Sequence, residues 1–129
     1  MIRIQSKSNK RLIVECVVNG KTASFLIDTG ASVGLIDNNQ RKKYNLAVGN
    51  KYKGTLIGAG GEITNAKICN TIIHIGDKLI NQFLLVDISD IVNSIKRECG
   101  VEILGLIGLP QMKFAGINID ANDNLIILE

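Results

Sequence analysis

Apolar and polar residues alternate in short runs along most of this chain, the periodicity of strands rather than helices. Leu12 to Val18 is apolar and β-branched, and Asn19-Gly20 follows it. Both turn residues tolerate positive φ, so the pair predicts a two-residue hairpin. Lys21 to Ile27 returns as a second strand, with Thr22, Ser24 and Leu26 on one face and Ala23, Phe25 and Ile27 on the other. Asp28 stands at its end. Gly30 and Gly34 bracket a turn, and Leu35-Ile36 reads as strand. Asp37 to Tyr44 reads as a polar helical turn or two, capped by Asp37 or Asn38. Lys53 to Ile57 and Glu62 to Ile75 predict a hairpin around the glycine-rich tip Gly58-Ala59-Gly60-Gly61. Gly76-Asp77 then turns the chain into a strand from Leu79 to Val86.

Only one segment carries a helical spacing. Ile91, Val92 and Ile95 predict a helix capped by Ser89 and running to about Glu98. Val101 to Leu109 is a continuous apolar run with Gly105 and Gly108, a buried strand. Pro110 suits the first turn of a short helix, Gln111 to Ala115. Ile117 to Asp120 and Leu125 to Leu128 form a closing hairpin. No repeat or linker interrupts the pattern, and 129 residues support one core but not two. The prediction is one mainly-β domain over residues 1–129, a barrel or sandwich with one or two short helices.

Composition narrows the partners. A chain that is 46% hydrophobic buries enough surface to fold. The net charge is +3 and the pI about 8.8, with basic clusters at Lys7, Lys10 and Arg11, at Arg41 to Lys43, and at Lys96-Arg97. Only 4% of residues are aromatic, so these clusters lack side chains to stack bases. They read as solvated surface, with no nucleic-acid partner. Cys16, Cys69 and Cys99 are odd in number and widely spaced, as free thiols in a reducing compartment are. His74 alone beside them makes no zinc set. The N-terminus has no apolar signal core, and no stretch approaches the roughly 18 apolar residues of a membrane span. A soluble cytoplasmic protein without a membrane partner follows. The tip at Gly58 to Gly61 is no phosphate loop, because Ile63 replaces the third glycine and no Gly-Lys-Ser/Thr follows.

The candidate chemistry lies at Asp28-Thr29-Gly30. Peptide hydrolysis without a metal or covalent nucleophile needs a base for the water and an acid for the leaving amine. Two carboxylates about 3 Å apart share one proton and serve as both. Leu26-Ile27 precede Asp28, so its carboxylate is partly buried, which is costly unless it has a role. Thr29 can brace the turn through its hydroxyl, and Gly30 lets backbone approach closely. The competing reading is a structural turn, since Asp-Thr-Gly is a common tripeptide. Asp120 has no Thr-Gly after it and reads as a turn. The tripeptide occurs once, so either two chains meet around one active site or the chain is not an active enzyme.

With these residues the sequence resembles the retropepsin-like aspartic proteases, the single-lobe group of retroviral proteases and their bacterial and cellular relatives. The match spans nearly the whole chain. Ile27-Asp28-Thr29-Gly30-Ala31-Ser32 corresponds to the catalytic loop. Gly58-Ala59-Gly60-Gly61 falls at the flap tip. Leu106-Ile107-Gly108 falls at the hydrophobic-hydrophobic-glycine element behind the active site. The resemblance implies a closed β-barrel of the acid-protease type. It implies a homodimer with catalytic Asp28, Thr29 and Gly30 on its twofold axis. Ala31, Ser32, Gly58 to Gly61, Ile107 and Gly108 would contact a peptide substrate. No metal or cofactor is implied. Thr29 would hydrogen-bond across the axis, and Gly30 would meet the substrate backbone. Leu104-Gly105 competes with Ile107-Gly108, whose spacing to Ile119-Asp120 fits the family better. Pro110 stands where bacterial relatives often carry an acidic residue, and the Ser89 to Glu98 helix is absent from compact retroviral forms. Ala31 offers no hydroxyl to the outer carboxylate oxygen, so the pair keeps its shared proton to higher pH. A catalytically silent binding or dimerisation module of the same fold is the alternative, and a plain β-barrel binding module the third.

Overall fold

The computed structural model describes residues 1–58, 61–63 and 65–129, with backbone only at residues 57, 58, 61 and 62. It is mainly β with two α-helices. The strands are β1 (Ile2–Gln5), β2 (Ile13–Val18), β3 (Lys21–Asp28), β4 (Gly34–Asp37), β5 (Val48–Lys51), β6 (Leu56–Gly58), β7 (Gly61–Ile63), β8 (Lys67–Cys69), β9 (Ile73–Ile75), β10 (Lys78–Ile80), β11 (Phe83–Val86), β12 (Ile103–Gly108), β13 (Ile117–Asp120) and β14 (Leu125–Leu128). The helices are α1 (Ser89–Cys99) and α2 (Leu109–Ala115).

Asn19 and Gly20 take φ of 50° and 82°, so the β2–β3 hairpin turns where the sequence placed it. Its register pairs Ile13 with Leu26 and Val18 with Lys21. Nine strands form one sheet in the order β10-β9-β2-β3-β12-β4-β11-β8-β5. β12 lies between β3 and β4, parallel to the first and antiparallel to the second. A separate sheet has the order β1-β14-β13. Among the described residues no ladder joins β10 to β5, the two ends of the nine-strand sheet.

Apolar residues pack on both faces of the central strands. Ala23, Phe25 and Ile27 join Val14, Ile36, Phe83 and Ile107 in the larger core. Leu26 points the other way and joins Ile13, Ile103, Leu106 and the α1 residues Val92 and Ile95. Two buried faces explain why β12 reads as an unbroken apolar run rather than an alternating one. Phe25 and Phe83 meet at 5.6 Å between ring centroids and 50° between planes, tying β3 to β11.

Several expected elements differ in extent. Glu62 to Ile75 is not one strand: β7, β8 and β9 divide it, and Asn65 takes a φ of 65° between the first two. Leu79 to Val86 is two strands, because Gln82 takes a φ of 65°. β10 stays beside β9, while β11 crosses to pair with β4 and β8. The Lys53 to Ile57 strand shortens to β6. Asp37 caps a single 3-10 turn, Asn38–Gln40, through a bond from Asn39 N–H at 3.2 Å. Ser89 is the first residue of α1 rather than its cap. Its N–H donates to Asp87 Oδ1 at 3.0 Å, and with the Asn39 amide this holds the Asp87 carboxyl below its ordinary range. β1 and β5 had no counterpart in the sequence reading.

The cysteines are unpaired, with Cys16 and Cys69 buried and Cys99 half-buried. Burial pushes the Cys16 thiol up to about 12, so it stays protonated and inert at neutral pH. Iodoacetamide is therefore expected to modify Cys99 first in the folded protein. Cys16 and Cys69 should react only after denaturation, as read by peptide mapping. Labelling of native Cys16 at the Cys99 rate would contradict this packing.

Candidate active site

Three strand ends meet at one edge of the central sheet. β3 ends on Asp28, β12 ends on Gly108 opposite it, and β4 begins at Gly34. Asp28 is half-buried and Thr29 and Gly30 are exposed. The Asp28 Oδ1 accepts the Gly30 N–H at 3.0 Å, an Asx-type turn that orients the carboxylate. The Ala31 N–H donates to the Asp28 carbonyl at 3.1 Å and closes the loop. Ala31 in turn accepts the Leu109 N–H at 3.0 Å, which ties the loop to the start of α2.

Ile107 pairs with Ile27 and Gly108 with Asp28, whereas Gly105 lies opposite Phe25. Of the two competing glycines, Gly108 is the one beside the aspartate. A Cβ on Gly108 would sit 2.9 Å from the Ala31 carbonyl oxygen and 3.0 Å from the Val33 carbonyl. Glycine is required there because the Asp28 loop wraps directly over the end of β12.

Sequence reasoning missed Gln111. It is 6% exposed, its Oε1 accepts the Gly108 N–H at 3.0 Å, and its Nε2 donates to the Asn81 carbonyl at 2.7 Å. The same side chain fills the space above Gly34, where any Cβ would overlap its amide. The available signal was a glutamine three residues after a helix N-cap, the reaching-back half of a capping box. Gln111→Met leaves the buried Gly108 N–H unpaired and removes the partner of the carbonyl of exposed Asn81. It is expected to cost about 1–3 kcal/mol, read as a lower urea midpoint at unchanged slope. A midpoint equal to the wild type would remove Gln111 from the support of this loop.

Ser32 is exposed and Ala31 half-buried on the same loop. Gly58 and Gly61 pair across the β6–β7 hairpin. Ala59 and Gly60, the expected tip, lie outside the described residues. An apolar cavity of about 290 Å³ opens beside Val33, between Tyr52, Ile68, Phe83 and Leu84. A second cleft of about 400 Å³ adjoins Thr29, between Leu109, Met112 and Ile117 to Ile119. His74 is exposed on β9, and Asp120 accepts the Asp123 N–H at 3.2 Å, a turn as read. Arg11 holds Glu98 of α1 through two bonds of 2.7 and 3.2 Å, which keeps the Glu98 carboxyl below its ordinary range. This pair anchors α1 to the segment beside the end of β3, where Leu12 accepts the Ile27 N–H at 2.9 Å.

Solved structures share this fold. The EIAV protease complexed with the inhibitor HBY-793 is 19% identical, with a TM-score of 0.61 over 85% of this chain and 92% of that one. The retroviral protease-like domain of Ddi1 from Leishmania major is 16% identical, with a TM-score of 0.58 over 92% and 88%. A retropepsin-like aspartic protease from Rickettsia conorii is 24% identical, with a TM-score of 0.58 over 98% and 97%. These likenesses show a retropepsin-like fold. No curated protein matches the sequence. The family described as aspartyl protease matches residues 14–110, a span that runs from β2 through Asp28 to the first turn of α2. By sequence and by fold, the chain belongs to the aspartyl protease family.

Proposed function

We propose that residues 1–129 form a single protease domain that hydrolyses peptide bonds as a homodimer, with one Asp28 from each chain. The observation that carries this reading is the half-buried Asp28 carboxylate, oriented by the Gly30 N–H at a strand end. One carboxylate takes a proton from a water as the water oxygen attacks the scissile carbonyl carbon. The other donates its proton, and the C–N bond breaks as the amine is protonated. Thr29 braces the two loops across the axis, and Gly30, Ala31 and Ser32 meet the substrate backbone. Ile107 and Gly108 support the loop from behind.

The β6–β7 hairpin, paired at Gly58 and Gly61, serves as a flap over the peptide. The apolar cavity beside Val33 suits an apolar substrate side chain. Apolar cores on both faces support closure of the nine-strand sheet as a barrel. Free cysteines support a cytoplasmic setting, and no described helix is long and apolar enough to cross a membrane.

The test is cleavage of a peptide library by wild type and Asp28→Asn across about pH 4–7. Asp28-dependent products are expected, with a mildly acidic optimum because the Ala31 side chain has no hydroxyl to donate to the carboxylate. A rate peak near about pH 2–3 would contradict the Ala31 argument. Absence of Asp28-dependent products at every pH, from a confirmed dimer, would leave the silent binding module.

A further inference from the structure

We propose that a lysine-lined cleft at the base of the β6–β7 hairpin binds an acidic side chain of the peptide, so that the protein selects substrates carrying Asp or Glu at one position. This rests on the protease reading and adds a substrate class to it. The cleft has a volume of about 410 Å³, and its lining includes Lys51, Tyr52, Lys53, Thr55, Ile63 and Asn65.

Like charges meet at this cleft. Lys51 on β5 lies opposite Lys67 on β8. The Tyr52 N–H donates to the Ala66 carbonyl at 2.8 Å, so the next pair along is a hydrogen-bonded one. Bonded and non-bonded pairs alternate in an antiparallel ladder. Lys51 and Lys67 therefore form a non-bonded pair, the kind whose side chains stand closer. Like charges directly opposite each other destabilise a sheet. No ion pair relieves them: among the described residues the pairs are Lys7–Glu15, Arg11–Glu98, Lys43–Glu102 and Lys96–Glu102. Among the described residues the cleft lining also holds no carboxylate.

Edge protection accounts for only part of this cluster. β5 ends the nine-strand sheet, and lysine on an edge strand discourages strand addition. β8 lies inside the sheet, between β11 and β5, so Lys67 has no edge to guard. A local arrangement that costs stability without a structural role marks a functional place.

Position selects the ligand. Tyr52 lines both this cleft and the apolar cavity beside Val33. Ile63 belongs to β7 of the hairpin. In an extended peptide, alternate side chains project the same way about 7 Å apart. A peptide beneath the hairpin with an apolar side chain in the cavity brings another side chain past Tyr52 to the cleft. A single exposed ion pair contributes little, but several cations around one carboxylate act together. Lys51, Lys53 and Lys67 favour an anion there and repel a cationic side chain. Thr55 and Asn65 add neutral polar groups to the same lining.

The experiment uses a randomised peptide library in two arms, cleavage by wild type and binding to Asp28→Asn. Both run at about pH 6, where a peptide carboxylate is ionised. Asp and Glu are expected to be enriched at one position among the selected peptides. Twin peptides with Glu or Gln at that position then give a ratio of kcat/KM in one arm and of Kd in the other. Each ratio should favour Glu about tenfold and shrink as salt rises. Lys51→Gln and Lys53→Gln should each lower it about threefold, and Lys53→Glu should favour a Lys twin instead. Lys42→Glu, the same charge change at an exposed lysine elsewhere, should leave the ratio unaltered. Lys67→Glu should lower the ratio yet raise the urea midpoint, because it replaces repulsion with attraction. Absence of acidic enrichment in both arms, or a ratio that Lys42→Glu moves as far as Lys53→Glu, would overturn the inference. Lysine-dependent binding of acidic peptides to Asp28→Asn, with no Asp28-dependent cleavage by wild type, would end the protease reading only. Asp28-dependent cleavage with the Glu and Gln twins cut alike would end the cleft inference only.

Discussion

Asp28→Asn is expected to abolish peptide cleavage while leaving the fold intact. Asparagine has the same shape, and its Oδ1 still accepts the Gly30 N–H, so the turn keeps its bond. Its amide cannot take a proton from water or hold the shared proton for the leaving amine. General acid–base catalysis contributes about 10²–10⁴-fold, and a symmetric pair loses both roles at once. The expected loss is at the upper end of that range. Stability should move by less than about 0.5 kcal/mol, since no packing changes. Rate against library peptides and a urea melt on the same sample check both halves. A variant with residual wild-type rate would mean the carboxylate is structural.

The second large effect is on stability. Gly105→Ala places a Cβ against the Leu35 carbonyl oxygen, with the Phe25 ring at 3.0 Å and the Ile36 Cα at 3.1 Å. Leu35 and Ile36 lie on β4, which is hydrogen-bonded to β12 and cannot retreat without breaking the centre of the sheet. Overpacking a tight core commonly costs about 1–3 kcal/mol, and a clash with backbone lies at or beyond the top of that range. Gly100→Ala is the control. Gly100 has a φ of 72° but nothing within 4 Å of the added Cβ, so only the backbone penalty of about 1 kcal/mol applies. Urea midpoints should fall much further for Gly105→Ala. Equal midpoints would mean that β4 can move away from β12 freely.

β3 and its Asp28 loop were legible because everything that forms them is local. Asn19-Gly20 sets the hairpin, alternation sets the faces of β3, and Asp-Thr-Gly sets the loop. β12 was legible as an apolar run, and the resemblance to the family, whose spacing Ile107-Gly108 and Ile119-Asp120 fit better, favoured Gly108 over Gly105. The neighbours of β12 were not legible. Its parallel pairing with β3 joins residues far apart in sequence, and no short-range pattern specifies such a partner. The break at Gln82 was hidden because only asparagine, aspartate and glycine advertise positive φ, and glutamine does not. β1 was missed because its four residues hold two apolar positions and β5 because it holds one. Gln111 was missed because a buried glutamine announces itself only through its partners.

The pairing of β1 with β14 has a temporal consequence. It joins β1 to β14, so it closes a loop across almost all of residues 1–129. A nascent chain can complete the β2–β3 hairpin and present Asp28 early, but the β1-β14-β13 sheet has to wait until β14 has left the ribosome. Ordering of β1 is therefore tied to the arrival of β14, although β1 is made long before it.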